Sequence, residues 1–123
     1  MASRNPIGSG RLGCSGRIVL KSSRDQELYA GLIRLHVLHH AAQEPIYGAW
    51  IIEELGRHGY DISAGTLYPM LKGLQRKGYL RCRPEGTGKR ARRYYSITRE
   101  GRRALVDAKE KVKELFGELF EVS

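Results

Sequence analysis

Apolar residues recur at helical spacing near the start of the chain. The first stripe has intervals of four, three and four: Leu28, Leu32, Leu35 and His39, widened by Ile33 and Val37. This spacing predicts a helix from Asp25 to about Ala42. Pro45 then interrupts the pattern, because the residue before a proline is disfavoured in helical geometry.

Two further helices are predicted close together. One opens at Tyr47-Gly48, directs Trp50 or Ile51, Ile52 and Leu55 inward, and ends at Gly59, which suits a left-handed cap. The other has Ser63 as its N-cap and an apolar stripe that follows Ile62. That stripe consists of Leu67, Met70, Leu71 and Leu74. Pro69 conflicts with a helix starting at Ser63, so either the first turn is irregular or regular helix starts near Thr66.

A change of period after Gly78 predicts a β-hairpin. Leu80, Cys82 and Pro84 alternate with charged residues, and Pro84 restricts this strand to an edge or its end. Residues 86–89 form the tip, and residues 92–97 return. Thr98 then caps a long amphipathic helix. The fold class is therefore mainly α with a small β-hairpin: a winged helix-turn-helix followed by a C-terminal dimerisation helix.

Charge is concentrated in one part of this pattern. The 123-residue chain carries a net charge of +9, and residues 63–103 hold 12 basic and 2 acidic side chains, whereas residues 25–62 hold 2 basic and 6 acidic ones. A cationic block beside acidic segments predicts a polyanionic partner, with double-stranded DNA as the leading candidate. An anionic membrane surface is the rival, but no segment pairs a basic face with a bulky apolar one.

The predicted domains follow from these patterns. Residues 1–24, which are rich in Gly, Ser and Arg, are expected to form a flexible basic leader, with a basic arm along DNA as the alternative. Residues 25–97 form the DNA-binding domain and residues 98–123 the dimerisation helix. Cys14 and Cys82 are too few for a disulfide framework, and no apolar run suits a signal peptide or membrane span. We expect a cytoplasmic protein with reduced thiols and no cofactor.

The third helix and the hairpin supply the candidate DNA contacts. Short side chains at a helix N-terminus let the backbone approach a groove, and its partial positive charge favours phosphate. Four cations near one hairpin tip repel one another unless an anion neutralises them. The predicted DNA-binding residues are Tyr47, Ser63, Gly65, Thr66, Tyr68, Lys72, Lys89, Arg90, Arg92 and Arg93. Ser63 could instead be only a cap, Gly65 only a packing allowance, and Tyr68 only a partly buried ring.

The last helix has more apolar surface than a domain of this size can cover. We expect it to pair two copies, against the partner's first or last helix, so that two recognition helices contact a pseudo-palindromic operator. An ordinary core-facing helix is the alternative. The predicted dimerisation residues are Leu28, Leu32, Leu105, Val112, Leu115, Phe116 and Leu119.

Several spaced motifs resemble the PadR family of bacterial transcriptional regulators. They are Tyr47-Gly48, residues 62–69 with Leu71 and Leu74, Gly78-Tyr79-Leu80, and residues 93–98 with Gly101. The resemblance implies a homodimeric DNA-binding repressor that a small molecule or other signal releases. The single helix that follows the hairpin is similar to the arrangement in the short subfamily. Some short members bind flat drugs through a tryptophan on the last helix, but the only tryptophan here is Trp50, so this binding mode is not carried over.

The sequence also bears on three other functions. A metal-responsive repressor is one, because His36, His39 and His40 lie at helical offsets and His36 with His40 could share an ion, although we assign no metal site from sequence. An enzyme is not expected, because no phosphate loop, nucleophile elbow or paired-carboxylate site is present. A winged helix that binds protein rather than DNA is the third.

Overall fold

The computed structural model describes residues 23–88 and 91–121, with the side chains of residues 23–26 not described. Its helices and strands follow the predicted order, with one added strand. They are α1 (Ser23–Gln43), β1 (Ile46–Tyr47), α2 (Gly48–Arg57), α3 (Ala64–Arg76), β2 (Leu80–Glu85), β3 (Arg92–Ile97) and α4 (Arg99–Phe120). The predicted fold class is confirmed. Residues 1–22 of the predicted leader lie outside the described residues. Helix α1 begins at Ser23, so it includes the last two residues of the predicted leader.

Helix α1 divides its apolar stripe between the core and the surface. Ile33 and Val37 are fully buried, together with Leu38 and Ala41 nearby. Leu28, by contrast, is 71% exposed and Leu32 is also exposed. Ile33 and Val37, which were expected only to widen the stripe, therefore form the side of α1 that faces the core.

The turn from α2 to α3 forms as its residues predict. Gly59 adopts a φ of 92°, a left-handed conformation that favours glycine. The Ser63 hydroxyl accepts a hydrogen bond from the Thr66 backbone N–H at 3.3 Å, so Ser63 is the N-cap and α3 is regular from Ala64. Pro69 lies on the exposed side inside the helix, where its missing N–H removes one backbone hydrogen bond without ending the helix.

The β-hairpin belongs to a three-stranded antiparallel sheet with the order β1-β3-β2. Strand β2 pairs with β3 from Leu80 opposite Ile97 to Glu85 opposite Arg92. Pro84 lies on β2, an edge strand, as predicted. Strand β1 was missed because two residues are too short to show an alternating pattern. We call the β2–β3 hairpin the wing.

Helix α4 is fixed to the sheet at its start and exposed towards its end. The Thr98 hydroxyl accepts from the Gly101 N–H at 3.0 Å and donates to the Gly78 carbonyl at 2.5 Å. A Cβ at position 101 would collide with the Tyr79 carbonyl, so glycine permits this close approach. Within the described ranges, no helix combines the length and apolar character that a membrane crossing requires.

Candidate nucleic-acid interface

The N-terminus of α3 presents short, exposed side chains. Ser63, Ala64 and Gly65 are exposed, and Thr66 is half-buried beside the Ser63 hydroxyl. A Cβ added to Gly65 would meet only the Ser63 Oγ, at 3.8 Å, so packing within the chain does not require glycine there. The unsatisfied amides of a first helical turn carry partial positive charge. This tip is therefore open to an anionic partner.

Tyr68 has a structural contact as well as an exposed surface. A Cβ at Gly48, the first residue of α2, would collide with the Tyr68 ring. The ring therefore packs directly on the α2 backbone and helps to set the position of α3. Tyr68 is nevertheless 45% exposed, and the exposed Lys72 lies one turn further along α3.

Strand β3 of the wing carries two cations next to β1. Arg92 and Arg93 are both exposed at the start of β3. The Arg92 guanidinium lies 4.0 Å from the centre of the Tyr47 ring, which is a cation–π distance. A hydrogen bond to Tyr94, assisted by Tyr47, raises the pKa of Arg92, so Arg92 stays positively charged. Lys89 and Arg90, predicted to contact DNA at the tip, lie outside the described residues.

Between α3 and the wing lies a cleft of about 710 Å³, which we call the α3–wing cleft. Its lining brings together half of the ten predicted DNA-binding residues: Tyr47, Tyr68, Lys72, Arg92 and Arg93. No acidic residue is among the described side chains that line it. An open, cationic cleft of this kind suits a phosphate backbone and does not resemble the enclosed apolar pocket of a small-molecule site.

The predicted dimerisation residues lie on a second surface, formed by α1 and α4. Leu105 differs from the rest, because it is 8% exposed and belongs to the core. The other six are exposed: Leu28, Leu32, Val112, Leu115, Phe116 and Leu119. An apolar groove of about 440 Å³ runs between the two helices and is lined by Leu32, Leu105, Val112 and Phe116, among others. We call it the α1–α4 groove.

The first-helix histidines acquire partners that the sequence did not indicate. His36 and His40 lie on one side of α1, and His58, from the end of α2, joins them. Glu54 of α2 is within 3.7 Å of His40 and 3.2 Å of His58. His39 is not one of the three converging residues: its Nε2 is 3.3 Å from the Gln43 side chain, and its ring lies edge-on to that of His40. The helical offset within α1 is visible in sequence, but the approach of α2 depends on how the two helices pack.

Comparison with known proteins agrees with this architecture. Residues 37–107 match the model of the transcriptional regulator PadR-like family. The chain is 44% identical over 94 residues to the transcriptional regulator Rv3488 of Mycobacterium tuberculosis, spanning 76% of this chain and 88% of that protein.

Solved structures show the same fold. A PadR family transcriptional regulator from Eggerthella lenta aligns with a TM-score of 0.68 and 34% identity, covering 82% of this chain and 92% of that one. The protein smu.1704 from Streptococcus mutans aligns with a TM-score of 0.67 and 27% identity over 74% and 85% of the two chains. The relatives also confirm the prediction of a regulator rather than an enzyme. The chain belongs to the PadR-like family of transcriptional regulators.

Proposed function

We propose that the protein is a homodimeric repressor that binds a pseudo-palindromic DNA operator and is released by an effector. The observation that carries this proposal is the α3–wing cleft, where Lys72 of α3 and Arg92 and Arg93 of the wing share a described lining that contains no acidic residue. Family membership supports a DNA partner, because PadR-like proteins are transcriptional regulators.

In the proposed complex, the N-terminal turn of α3 enters the major groove. Gly65 and its small neighbours let the helix backbone approach base edges closely, and Thr66 offers a hydroxyl that donates or accepts. Lys72, Arg92 and Arg93 neutralise phosphates beside the groove, which fixes the orientation of α3. Tyr47 holds Arg92 through its ring and in this way positions the wing.

The proposed dimer covers the exposed surface of α1 and α4. The distal part of α4 exposes Val112, Leu115 and Phe116, which is a contiguous apolar stripe at helical spacing. Lysines and glutamates flank this stripe along α4, so two antiparallel copies can pair opposite charges at its edges. We therefore assign the surface to a second copy of the chain.

Dimer geometry also offers a route to release. A pseudo-palindrome requires the two α3 helices to lie about one DNA turn apart, roughly 34 Å. An effector that changes the angle between the subunits alters this spacing and weakens binding at both half-sites.

The test uses the DNA upstream of the protein's own operon, with binding measured at two salt concentrations. We expect a specific complex whose affinity falls as salt rises, because each neutralised phosphate contributes about −0.9 to the slope of log affinity against log salt. Weak binding without sequence preference at either salt concentration contradicts the repressor function.

A double variant, R92E with R93E, tests the wing directly. It removes two phosphate contacts per subunit, so the salt slope becomes shallower by about 2 per subunit. The control is R99E with R103E, which reverses the same number of charges at exposed positions of α4, outside the described lining of the cleft and on the side of α4 away from the apolar stripe. If R92E/R93E retains DNA as well as the wild type does, a winged helix that binds protein becomes the better explanation.

A further inference from the structure

Three imidazoles converge between α1 and α2, outside the α3–wing cleft. His36 and His40 are one helical turn apart on α1, and His58 is the C-cap residue of α2. One ring nitrogen from each lies within 4.8 Å of the others. The rings of His36 and His58 are stacked with centroids 4.6 Å apart, and those of His36 and His40 are 6.2 Å apart.

We propose that His36, His40 and His58 form a binding site for a divalent transition-metal ion such as Zn²⁺ or Co²⁺. Imidazole nitrogen is a preferred ligand for these ions, and histidines four residues apart on a helix present their rings to one ion. Tetrahedral bonds of 2.0–2.1 Å require nitrogen atoms about 3.3 Å apart. The cluster therefore has to close slightly, through small movements of the three side chains, of which His58 is exposed.

The protonation state of the cluster suits a metal ligand. Burial and the neighbouring His58 lower the pKa of His36 to about 4, and burial also lowers the pKa of His40. Both shifts favour the neutral imidazole, which is the form that coordinates a metal ion.

His40 also has an unpaired nitrogen. Its Nε2 is buried and has no hydrogen-bond partner among the described residues. The nearest carboxylate oxygen, Glu54 Oε2, is 3.7 Å away, which is beyond hydrogen-bond range. Buried polar atoms in native proteins nearly always have a partner. A metal ion between the three rings satisfies this nitrogen.

The surroundings of the cluster are negatively polarised. The largely buried carboxylate of Glu54 accepts hydrogen bonds from Arg57 at 2.8 Å and from His58 at 3.2 Å. A carboxylate that holds a ligating histidine fixes its orientation and increases its basicity. The C-terminal end of α2, at His58, adds the partial negative charge of the helix dipole. Both features favour a cation.

The single tryptophan provides a reporter. The Trp50 ring centre lies 5.4 Å from that of His40, close enough for a bound paramagnetic ion to quench its fluorescence. The experiment titrates the untagged full-length protein with Co²⁺ at pH 7.5, recording Trp50 fluorescence and the visible absorption of tetrahedral Co²⁺. We expect one ion per chain, with both signals saturating together.

Variants locate the site. H40Q and H58Q should each reduce Co²⁺ affinity by more than the 10- to 100-fold loss that is typical for an outer-sphere partner, and E54Q by about that amount. H39Q is the matched control, because His39 lies on the same helix and touches the His40 ring but is not one of the three converging ligands, and it should bind Co²⁺ as the wild type does. His58 is exposed at a helix end, so H58Q tests the ligand set even if H40Q fails to fold.

Several results would overturn the proposal. They are an absence of Co²⁺ binding, equal binding by the wild type and H58Q, and binding that is lost only in C82S, which assigns the ion to a thiolate. The described lining of the α3–wing cleft shares no residue with the cluster, so any of these results leaves the proposed DNA function intact.

Discussion

Helices α3 and α4 are alike in sequence pattern and opposite in what they expose. Each begins at a hydroxyl N-cap, Ser63 or Thr98, and each carries an apolar stripe at helical spacing. The stripe of α3 is buried along its length, whereas α4 buries Leu105 and exposes the four large residues that follow along the predicted stripe. These are Val112, Leu115, Phe116 and Leu119.

The difference arises from where each helix lies. Helix α3 packs against α2 and β2, so its remaining face presents small residues at the tip and then Tyr68 and Lys72. Helix α4 spans 22 residues, about 33 Å, and rests on the domain through its first turns. An amphipathic pattern therefore predicts a helix with an apolar side, but only the tertiary structure determines whether that side meets the chain's own core or another molecule.

The largest expected effect concerns the buried stripe of α3. Leu71 is fully buried, so L71A should lower the free energy of unfolding by about 2–5 kcal/mol through lost burial and a cavity. Chemical denaturation followed by circular dichroism measures this loss. The loss should be the same at every protein concentration, because the core belongs to one chain.

The matched variant on α4 is L115A, at a residue that is 48% exposed. At concentrations where the chain is monomeric, it should change the unfolding free energy by less than about 0.5 kcal/mol, as for other surface substitutions. A loss similar to that of L71A would place Leu115 in the core of its own chain and remove the contrast between the helices.

The next effect concerns the proposed dimer. V112E with F116E places two carboxylates in the α4 stripe, and burying them at an interface costs several kcal/mol. The dimer dissociation constant should rise on the order of 100-fold or more. Sedimentation equilibrium measures the change.

V106E is the control for this double variant. Val106 is apolar and 59% exposed, but it lies about 100° around the helix from Leu105, outside the stripe. The dimer dissociation constant of V106E should match that of the wild type. If V106E weakens dimerisation as much as the double variant does, the stripe is not the dimer interface. Unchanged dimerisation of V112E/F116E would argue for a monomer or a different interface.

Local signals in the sequence predicted most of the fold. Ser63 and Thr98 are caps, Gly59 and Gly78 end helices with positive φ, and Pro84 lies on an edge strand. Each of these depends on a few adjacent residues. Strand β1 was missed because it exists only through its pairing with β3, and the core side of α1 was unclear because both sides of that helix are apolar.

The candidate sites depend more on contacts between distant residues. Lys72, Arg92 and Arg93 were predicted from charge and position, but the Arg92–Tyr47 contact needs β1 beside β3. His36 and His40 were visible as a helical pair. His58 and Glu54 were not, because their approach depends on how α2 crosses α1, and no spacing along the chain encodes it.

The smallest effect separates structure from function at the tip of α3. Gly65 has open space around its Cβ position, so G65A should preserve the fold and stabilise it by about 0.4–1 kcal/mol, since alanine restricts the unfolded chain. If the α3 backbone approaches DNA closely at this point, the added methyl group should weaken operator binding on the order of tenfold, about 1.4 kcal/mol. Fluorescence anisotropy with labelled operator DNA measures the change.

G73A is the matched control, because Gly73 lies on the same helix, also with nothing near its Cβ position, but away from the tip and outside the described lining of the cleft. It should give a similar gain in stability with unchanged DNA affinity. If G65A gains stability but loses DNA affinity, while G73A only gains stability, the tip of α3 is the surface that touches DNA. Unchanged binding in both variants would mean that Gly65 is no more than a tolerated residue, and DNA contact would then rest on the wing cations and Lys72.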